Sequence, residues 1–320
     1  MFLDSYTFPI LFELTLAILS AMVVTSGALF YLRRVRLERP AIGTFNHRDI
    51  RILFCFIILL PFVYVVLPRD ALTSFLVLTF SGAISIGFRP VLSRTQLWLG
   101  IGLVIGANIW LSRTMLGTIL GWQLAWATTD ILVILAAISV SNLYIQGGMR
   151  LRHVAWIALI LAIYDLAFTR YVPLTNKLTE QFLGYPLDPS IGMRIGLYNA
   201  SIGLGDLLVY AMFLIAAFKA YGRFAARVAF SLIVVFGAIA PALAPLVIHS
   251  FLDARTDLVV PAQTLFGPAA FIAYRWMKKR YGPERTMAQF LASNDVRRPT
   301  PAADTALEPV TEPAVAPAPA

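Results

Sequence analysis

The chain has 320 residues, 59% of them hydrophobic and 13% charged, with a mean hydropathy of +0.76. Soluble domains are nearer half apolar and a quarter charged, so a water-soluble enzyme is excluded and an integral membrane protein is expected. The formal charge of +9 does not mark a nucleic-acid binder, because the basic residues are spread through short segments between apolar runs, where they orient a chain in a lipid bilayer. The single cysteine, Cys55, allows neither an intramolecular disulfide nor a cysteine metal cluster. His47, His153 and His249 lie far apart with no H-E-x-x-H pair, and no G-x-S-G stretch or Gly-rich phosphate loop is present. Zinc-protease, intramembrane serine-protease and nucleotide chemistry therefore have no sequence support, and no metal or other cofactor is expected.

In chain order, apolar runs suited to crossing a hydrocarbon core lie at roughly 9–32, 51–67, 71–88, 96–112, 117–140, 154–171, 202–219, 226–249 and 259–277. The expected fold class is thus all-α, a polytopic membrane protein of about nine transmembrane helices. The first run is no cleavable signal peptide, since acidic Asp4 precedes it and Arg33, Arg34, Arg36 and Arg39 follow it. With the N-terminus outside and the C-terminus inside, 20 of the 26 Lys and Arg residues fall in inner segments, as the positive-inside rule demands. The expected location is the cytoplasmic membrane of a prokaryote. Residues 1–150 form an N-terminal set of five helices, 151–280 a C-terminal set of four, and 281–320, rich in Pro and Ala, read as a disordered cytoplasmic tail. The one long outer loop, about 172–201, carries Pro173, Gly184, Pro186, Pro189 and Gly192 and reads as structured or re-entrant. Glu13, Arg170, Lys219 and Arg275, near span ends, are expected to snorkel.

Three aspartates sit at bilayer depth, where each costs at least about 2.5 kcal/mol and needs a reason. Asp130, beside Thr128 and Thr129, reads best as structural or gating. Asp165 lies about 9 Å from the outer end of the sixth span and Asp206 about 6 Å from the same side of the seventh, so the two carboxyls can meet. Ala158, Ala162 and Thr169 on one helix and Gly203 on the other supply small neighbours for a close approach. Two carboxyls in contact hold one proton between them, one acting as base toward water and the other as acid toward a carbonyl oxygen. A plainer reading is also open, in which each aspartate only hydrogen-bonds across a helix interface.

Tyr164-Asp165 in one span, Gly203-Leu204-Gly205-Asp206 in the next, and Pro241-Ala242-Leu243 beyond resemble the Y-D, G-x-G-D and P-A-L signatures of the presenilin and signal peptide peptidase family of intramembrane aspartyl proteases. The resemblance covers about 150–280 and implies a prokaryotic-type homologue in which Asp165 and Asp206 are the catalytic pair. Tyr164, Gly203 and Gly205 would shape the site, and Pro241, Ala242 and Leu243 would help seat an unwound transmembrane-helix substrate. The orientation is similar to the signal peptide peptidase branch. One departure is that P-A-L opens the ninth span in the family, whereas Pro241 falls within the eighth here. Val260-Pro261-Ala262-Gln263 takes the family position but lacks the leucine. Motif identity favours 241–243, and both prolines are expected to free backbone groups inside the bundle.

Other classes make different demands. A proton- or cation-coupled transporter would use all three aspartates and show corresponding halves; a prepilin-type peptidase would lack Y-D and P-A-L; a noncatalytic scaffold leaves the matched depths of Asp165 and Asp206 unexplained.

Overall fold

The computed structural model describes residues 2–37, 47–171, 182, 184–195, 198–244, 247 and 261–296. Ten helices and one hairpin follow in the order α1 (Phe2–Arg34), α2 (His47–Val66), α3 (Arg69–Phe88), α4 (Arg94–Thr114), α5 (Ile119–Gln146), α6 (Leu151–Tyr171), β1 (Ser190–Ile195), β2 (Tyr198–Gly203), α7 (Leu204–Tyr221), α8 (Arg223–Ala244), α9 (Ala262–Tyr281) and α10 (Met287–Leu291). The protein is mostly helical, and among the described residues six helices (α1, α3, α4, α5, α7 and α8) are long and apolar enough to cross a membrane. Long helix α9 falls short of that composition because it carries Arg275, Lys278, Lys279 and Arg280, and α2 contributes a shorter apolar run, Arg51–Tyr64.

Local chemistry sets the boundaries. Ser93 caps α4 in a capping box with Gln96, and the Thr118 hydroxyl accepts from the Gly121 N–H at 3.0 Å to start α5. Helix α7 is apolar on every side from Leu207 to Phe218, a pattern that demands burial all round. It is accordingly the central helix, with α1, α5, α6, α8 and α9 packed about it. Buried side chains form one cluster that runs through both halves of the chain.

Helix α6 packs most extensively on α9, and the cause is small residues at the crossing. A Cβ at Gly267 would lie 2.4 Å from the Ala158 carbonyl oxygen and 2.7 Å from the Ala162 methyl, so no larger residue fits. Ala158 and Ala162, expected to ease the approach of α6 to α7, therefore serve the α6–α9 contact.

The structure is consistent with the expected all-α fold class, and part of the loop expected to be structured folds into the antiparallel hairpin β1–β2, paired from Ser190 with Gly203 to Ile195 with Tyr198. Two expectations need correction. Lys219 does not snorkel; it is 2% exposed and donates to the Met149 carbonyl at 2.6 Å and the Ile145 carbonyl at 3.3 Å, tying α7 to the end of α5. Residues 282–296, expected as the start of the tail, are built into the fold. There the Glu284 carboxylate accepts from the Leu151 and Arg152 N–H groups at 2.9 and 3.1 Å, capping α6. Arg285 donates to the carbonyls of Phe218 and Lys219, both at 3.0 Å, capping α7, and pairs with Asp295 at 3.0 Å. Thr286 and Gln289 form a capping box for α10, whose Phe290 is fully buried. An anion at a helix start and a cation at a helix end both complement the backbone dipole. The rest of the expected tail lies outside the described residues, as do His249 and Pro245.

Candidate active site

Asp165 stands on α6, and Asp206 stands in the first turn of α7. Measured from the Glu284–Arg285 clasp that holds Leu151 and Phe218–Ala220, both lie about 20 Å along their helices at 1.5 Å per residue. The clasp thus sets the two carboxyls at one level, within electrostatic reach of each other.

Tyr210 lies one turn beyond Asp206 on α7, on the same face, and within reach of both carboxyls. It is 1% exposed, with its ring edge-on to Phe266 of α9 at a centroid distance of 4.8 Å. Its hydroxyl donates to the Gly237 carbonyl of α8 at 2.9 Å. That carbonyl is four residues before Pro241, which has no N–H to give it, and the surrounding turn Ile233–Ile239 is a π-helix. A Cβ at Gly237 would come within 2.7 Å of the Tyr210 ring, so glycine is required there by space. Tyr210 was missed in the sequence, although its offset of four from Asp206 was a usable signal.

Gln263, in the first turn of α9, faces Asp206 from the other side. The amide is near enough to interact with the carboxyl but outside hydrogen-bonding geometry, and its nitrogen and oxygen are both buried without a hydrogen-bond partner among the described residues. Of the two proline segments, Pro261–Gln263 thus brings a polar group to the carboxyl. Pro241–Leu243 continues α8 as helix past the π turn, with Ala242 buried and its neighbours half-buried.

The remaining sequence-selected residues are placed as follows. The Tyr164 hydroxyl donates to the Ile58 carbonyl of α2 at 3.4 Å. Gly203 is the last residue of β2 and the N-cap of α7, in an extended conformation (φ −65°, ψ 143°), not on the helix face beside Asp206 as expected. A Cβ at Gly203 would meet nothing closer than the Asp206 carboxylate at 3.8 Å, and one at Gly205 would meet nothing within 4 Å. Both glycines are exposed, so they leave open space on the approach to Asp206.

The hairpin leads into that space. The Leu204 N–H donates to the Pro189 carbonyl at 2.9 Å, which with the register fixes which backbone groups point away from the partner strand: Ser190, Gly192 and Arg194 on β1, and Asn199, Ser201 and Gly203 on β2. The outward Gly192 N–H donates to the Asp130 carboxylate at 2.9 Å, so the third intramembrane aspartate closes the β1 edge. Arg194 lies over the Trp122 ring at 4.9 Å on the same side. The β2 edge at Ser201 and Gly203 is exposed and carries no such contact among the described residues.

The segment before the hairpin is held equally firmly. Leu187 takes a left-handed backbone (φ 62°), costly for a branched residue, and its N–H donates to the Asn108 side-chain oxygen at 2.7 Å. Burial pushes the neighbouring Asp188 carboxyl up to about 7, although the Ser190 hydroxyl, donating at 2.7 Å, works in the opposite direction.

Among the described residues no cluster of three or more His, Cys, Asp or Glu side chains could hold a metal ion. No protein-family model matches the chain, and no curated protein matches it.

Proposed function

We propose that this chain is an intramembrane aspartyl protease that hydrolyses peptide bonds within transmembrane segments, using Asp165 and Asp206. The observation that carries the reading is the placement of these two carboxyls on neighbouring helices, at equal distance along each from the clasp and within electrostatic reach, beside open space and an open strand edge. The sequence resemblance to the presenilin and signal peptide peptidase family adds to it. Nine crossings with the N-terminus out and the C-terminus in suit the nine helices of eighteen or more residues among the described residues. On that topology the carboxyls sit toward the outer face of the cytoplasmic membrane.

A transmembrane helix satisfies its own backbone and shields its carbonyl carbons, so it must unwind before it can be cut. The exposed β2 edge offers hydrogen bonds to an unwound strand and runs directly into Asp206, which is the strand-addition mode of peptide recognition. The ionised carboxyl then takes a proton from water as the water oxygen bonds to the carbonyl carbon, and the protonated carboxyl gives its proton to the carbonyl oxygen. Return of a proton to the peptide nitrogen breaks the C–N bond and releases an acid and an amine. Tyr210, Tyr164, Gly203, Gly205 and the two proline segments shape the cavity in which this occurs.

A cation-coupled transporter would need Asp130 as a third working carboxyl, but its carboxylate accepts a backbone hydrogen bond from the hairpin. The deciding experiment is cleavage of a single-span test peptide by the purified protein in detergent micelles. Cleavage that stops with a transition-state aspartyl inhibitor and survives a chelator is expected. Ion flux with no proteolysis would establish the transporter instead.

A further inference from the structure

We infer that the groove between α8 and α9 is a binding site for one anionic phospholipid, whose acyl chain lies along the groove and whose phosphate is held where Arg227, Lys279 and Arg280 stand. The inference needs a bilayer but not the protease reading; the proposed orientation decides only that the leaflet is the cytoplasmic one. The groove is a cavity of about 520 Å³, walled by Val228, Leu232 and Phe236 from α8 and by Leu265, Ile272 and Trp276 from α9. Small Ala269 and Ala273 give it depth. Both walls depart from regular helix at this level, with the π turn Ile233–Ile239 on one side and Pro268 inside the helix on the other. From Leu265 to Trp276 the lining runs about 16 Å along α9, and half of a hydrocarbon core is about 15 Å. The groove therefore spans one leaflet.

Charge begins where the apolar lining ends. Lys279 and Arg280 follow Trp276 at three and four residues on the same face of α9, and Arg227 lies beside Val228 and three residues from Phe224 on α8; all three cations are exposed. The Phe224 and Trp276 rings meet across the two helices at 6.4 Å. The Arg280 guanidinium lies over both, at 5.9 and 5.4 Å, and over Tyr281 at 5.7 Å. Ring faces stabilise a cation without accepting from its N–H groups, so Arg280 is held at the mouth of the groove with donors left for an acceptor. The nearest acids are already engaged, since Asp295 pairs with Arg285 and Arg223, and Glu284 caps α6. Among the described residues no ion pair takes Arg227, Lys279 or Arg280. Aromatic rings beside such cations mark the headgroup level, and a phosphate there, with its chain running back along the groove, satisfies both ends at once. A zwitterionic lipid would bring a cation of its own to the same mouth. At its far end the groove backs on to the contacts of Tyr210, because Phe236 precedes Gly237 and Leu265 precedes Phe266.

The test is native mass spectrometry of the full chain, released from detergent micelles and titrated with phosphatidylglycerol or with phosphatidylcholine of the same acyl chains. The first lipid bound is expected to favour phosphatidylglycerol by about tenfold. Combining Arg227→Gln, Lys279→Gln and Arg280→Gln, all at exposed side chains, is expected to shrink that preference to about twofold or less. Ala269→Phe, which fills the groove and leaves the cations in place, is expected to weaken both lipids about tenfold. Ile272→Asn, at an exposed wall position, makes the same test if the first variant does not fold. Glycerol 1-phosphate, an anionic headgroup without chains, is expected not to compete. Equal affinity for the two lipids, a preference that survives the triple variant, unchanged binding after the groove is altered, or competition by glycerol 1-phosphate would each overturn the site. A dimer that forms in place of the lipid adduct and disappears in Ala269→Phe would overturn it too, by giving the groove to a second copy of the chain.

Discussion

At Asn108 and Asp130, on α4 and α5, the buried polar groups are spent on the protein itself. The Asn108 amide nitrogen lies 2.8–2.9 Å from the Ala125 carbonyl and the Thr128 and Thr129 hydroxyls, its oxygen holds the Leu187 N–H, and Asp130 holds the Gly192 N–H. Around Asp165 and Asp206 the arrangement is the reverse. Two carboxyls lie within electrostatic reach of each other, near a buried glutamine amide that meets no strict hydrogen-bond geometry among the described residues and two glycines that nothing in the packing requires. A satisfied polar network rigidifies a fold, whereas a buried group without a partner marks a place where the fold has accepted a loss for some other end. The same residue type thus does two jobs in one molecule, and the hydrogen-bond ledger tells them apart where hydropathy does not.

The sharpest way to break the comparison is to neutralise each aspartate in turn. Asp165→Asn or Asp206→Asn is expected to abolish cleavage of a single-span peptide, by about 10³-fold or more, with the melting transition in detergent retained. Asp130→Asn is expected to leave cleavage within a few-fold of the parent, because a neutral amide oxygen still accepts from Gly192. Equal loss at all three positions would show that the two sites are not distinct.

A smaller effect is expected at the contact between Tyr210 and α8. Gly237→Ala places a methyl against the Tyr210 ring and costs on the order of 1–3 kcal/mol if the backbones shift to admit it. Cleavage is expected to fall more steeply than stability, since Tyr210 is the residue within reach of both carboxyls. Tyr210→Phe, which removes the hydroxyl from Gly237 and keeps the ring, separates the hydrogen bond from the packing. If kcat/KM is unchanged in both variants, Tyr210 belongs with the structural set.

The clasp gives a third test. Arg285→Ala removes donors from the end of α7 and a partner from Asp295, and Glu284→Gln weakens the cap on α6; each is expected to cost about 1–3 kcal/mol in thermal or denaturant melts. If the clasp levels the two carboxyls, cleavage falls in both variants though the mutated residues lie about 20 Å away.

How much of this was legible in the sequence follows from the range of each interaction. The matched depths of Asp165 and Asp206 were readable because helix rise is constant and the apolar runs give the ends. Tyr210 and the Thr286–Gln289 capping box were within reach of local reading as well. The latter was passed over because Pro and Ala dominate the composition further on. The hairpin also left a trace, since only two positions in the sequence separate Ile195 from Tyr198. The clasp was out of reach, because Glu284 meets residues more than a hundred positions earlier and no local pattern encodes the pairing. Gln263 was named only as the residue that spoils a motif, and its lack of a partner is a property of the fold alone. Lys219 was misjudged for a related reason: snorkelling assumes a free path to water, and the carbonyls at the end of α5 close it.

The smallest expected effect lies in the segment that ties the two regions together. Asp188 is half-buried between Leu187 and the hairpin, and desolvation there holds its carboxyl up to about 7. A carboxyl whose folded value exceeds its unfolded one binds a proton in the folded state over the interval where the unfolded chain has already released it. Stability therefore falls as pH rises from about 4 to about 7 and is level above, by an amount bounded near 4 kcal/mol and reduced by the Ser190 hydrogen bond and by partial solvent access. Melting in detergent across that interval is expected to show the decline, and Asp188→Asn, which stays neutral throughout, is expected to make it shallower while raising the melting temperature at pH 8, the remainder coming from the other buried aspartates. A decline that is undiminished in Asp188→Asn would assign the whole titration to those groups. A rise with pH in the parent chain would mean that the Asp188 carboxylate is better solvated than its position under the hairpin allows, and that the anchoring of β1 is looser than its bonds to Asp130 and Asn108 imply.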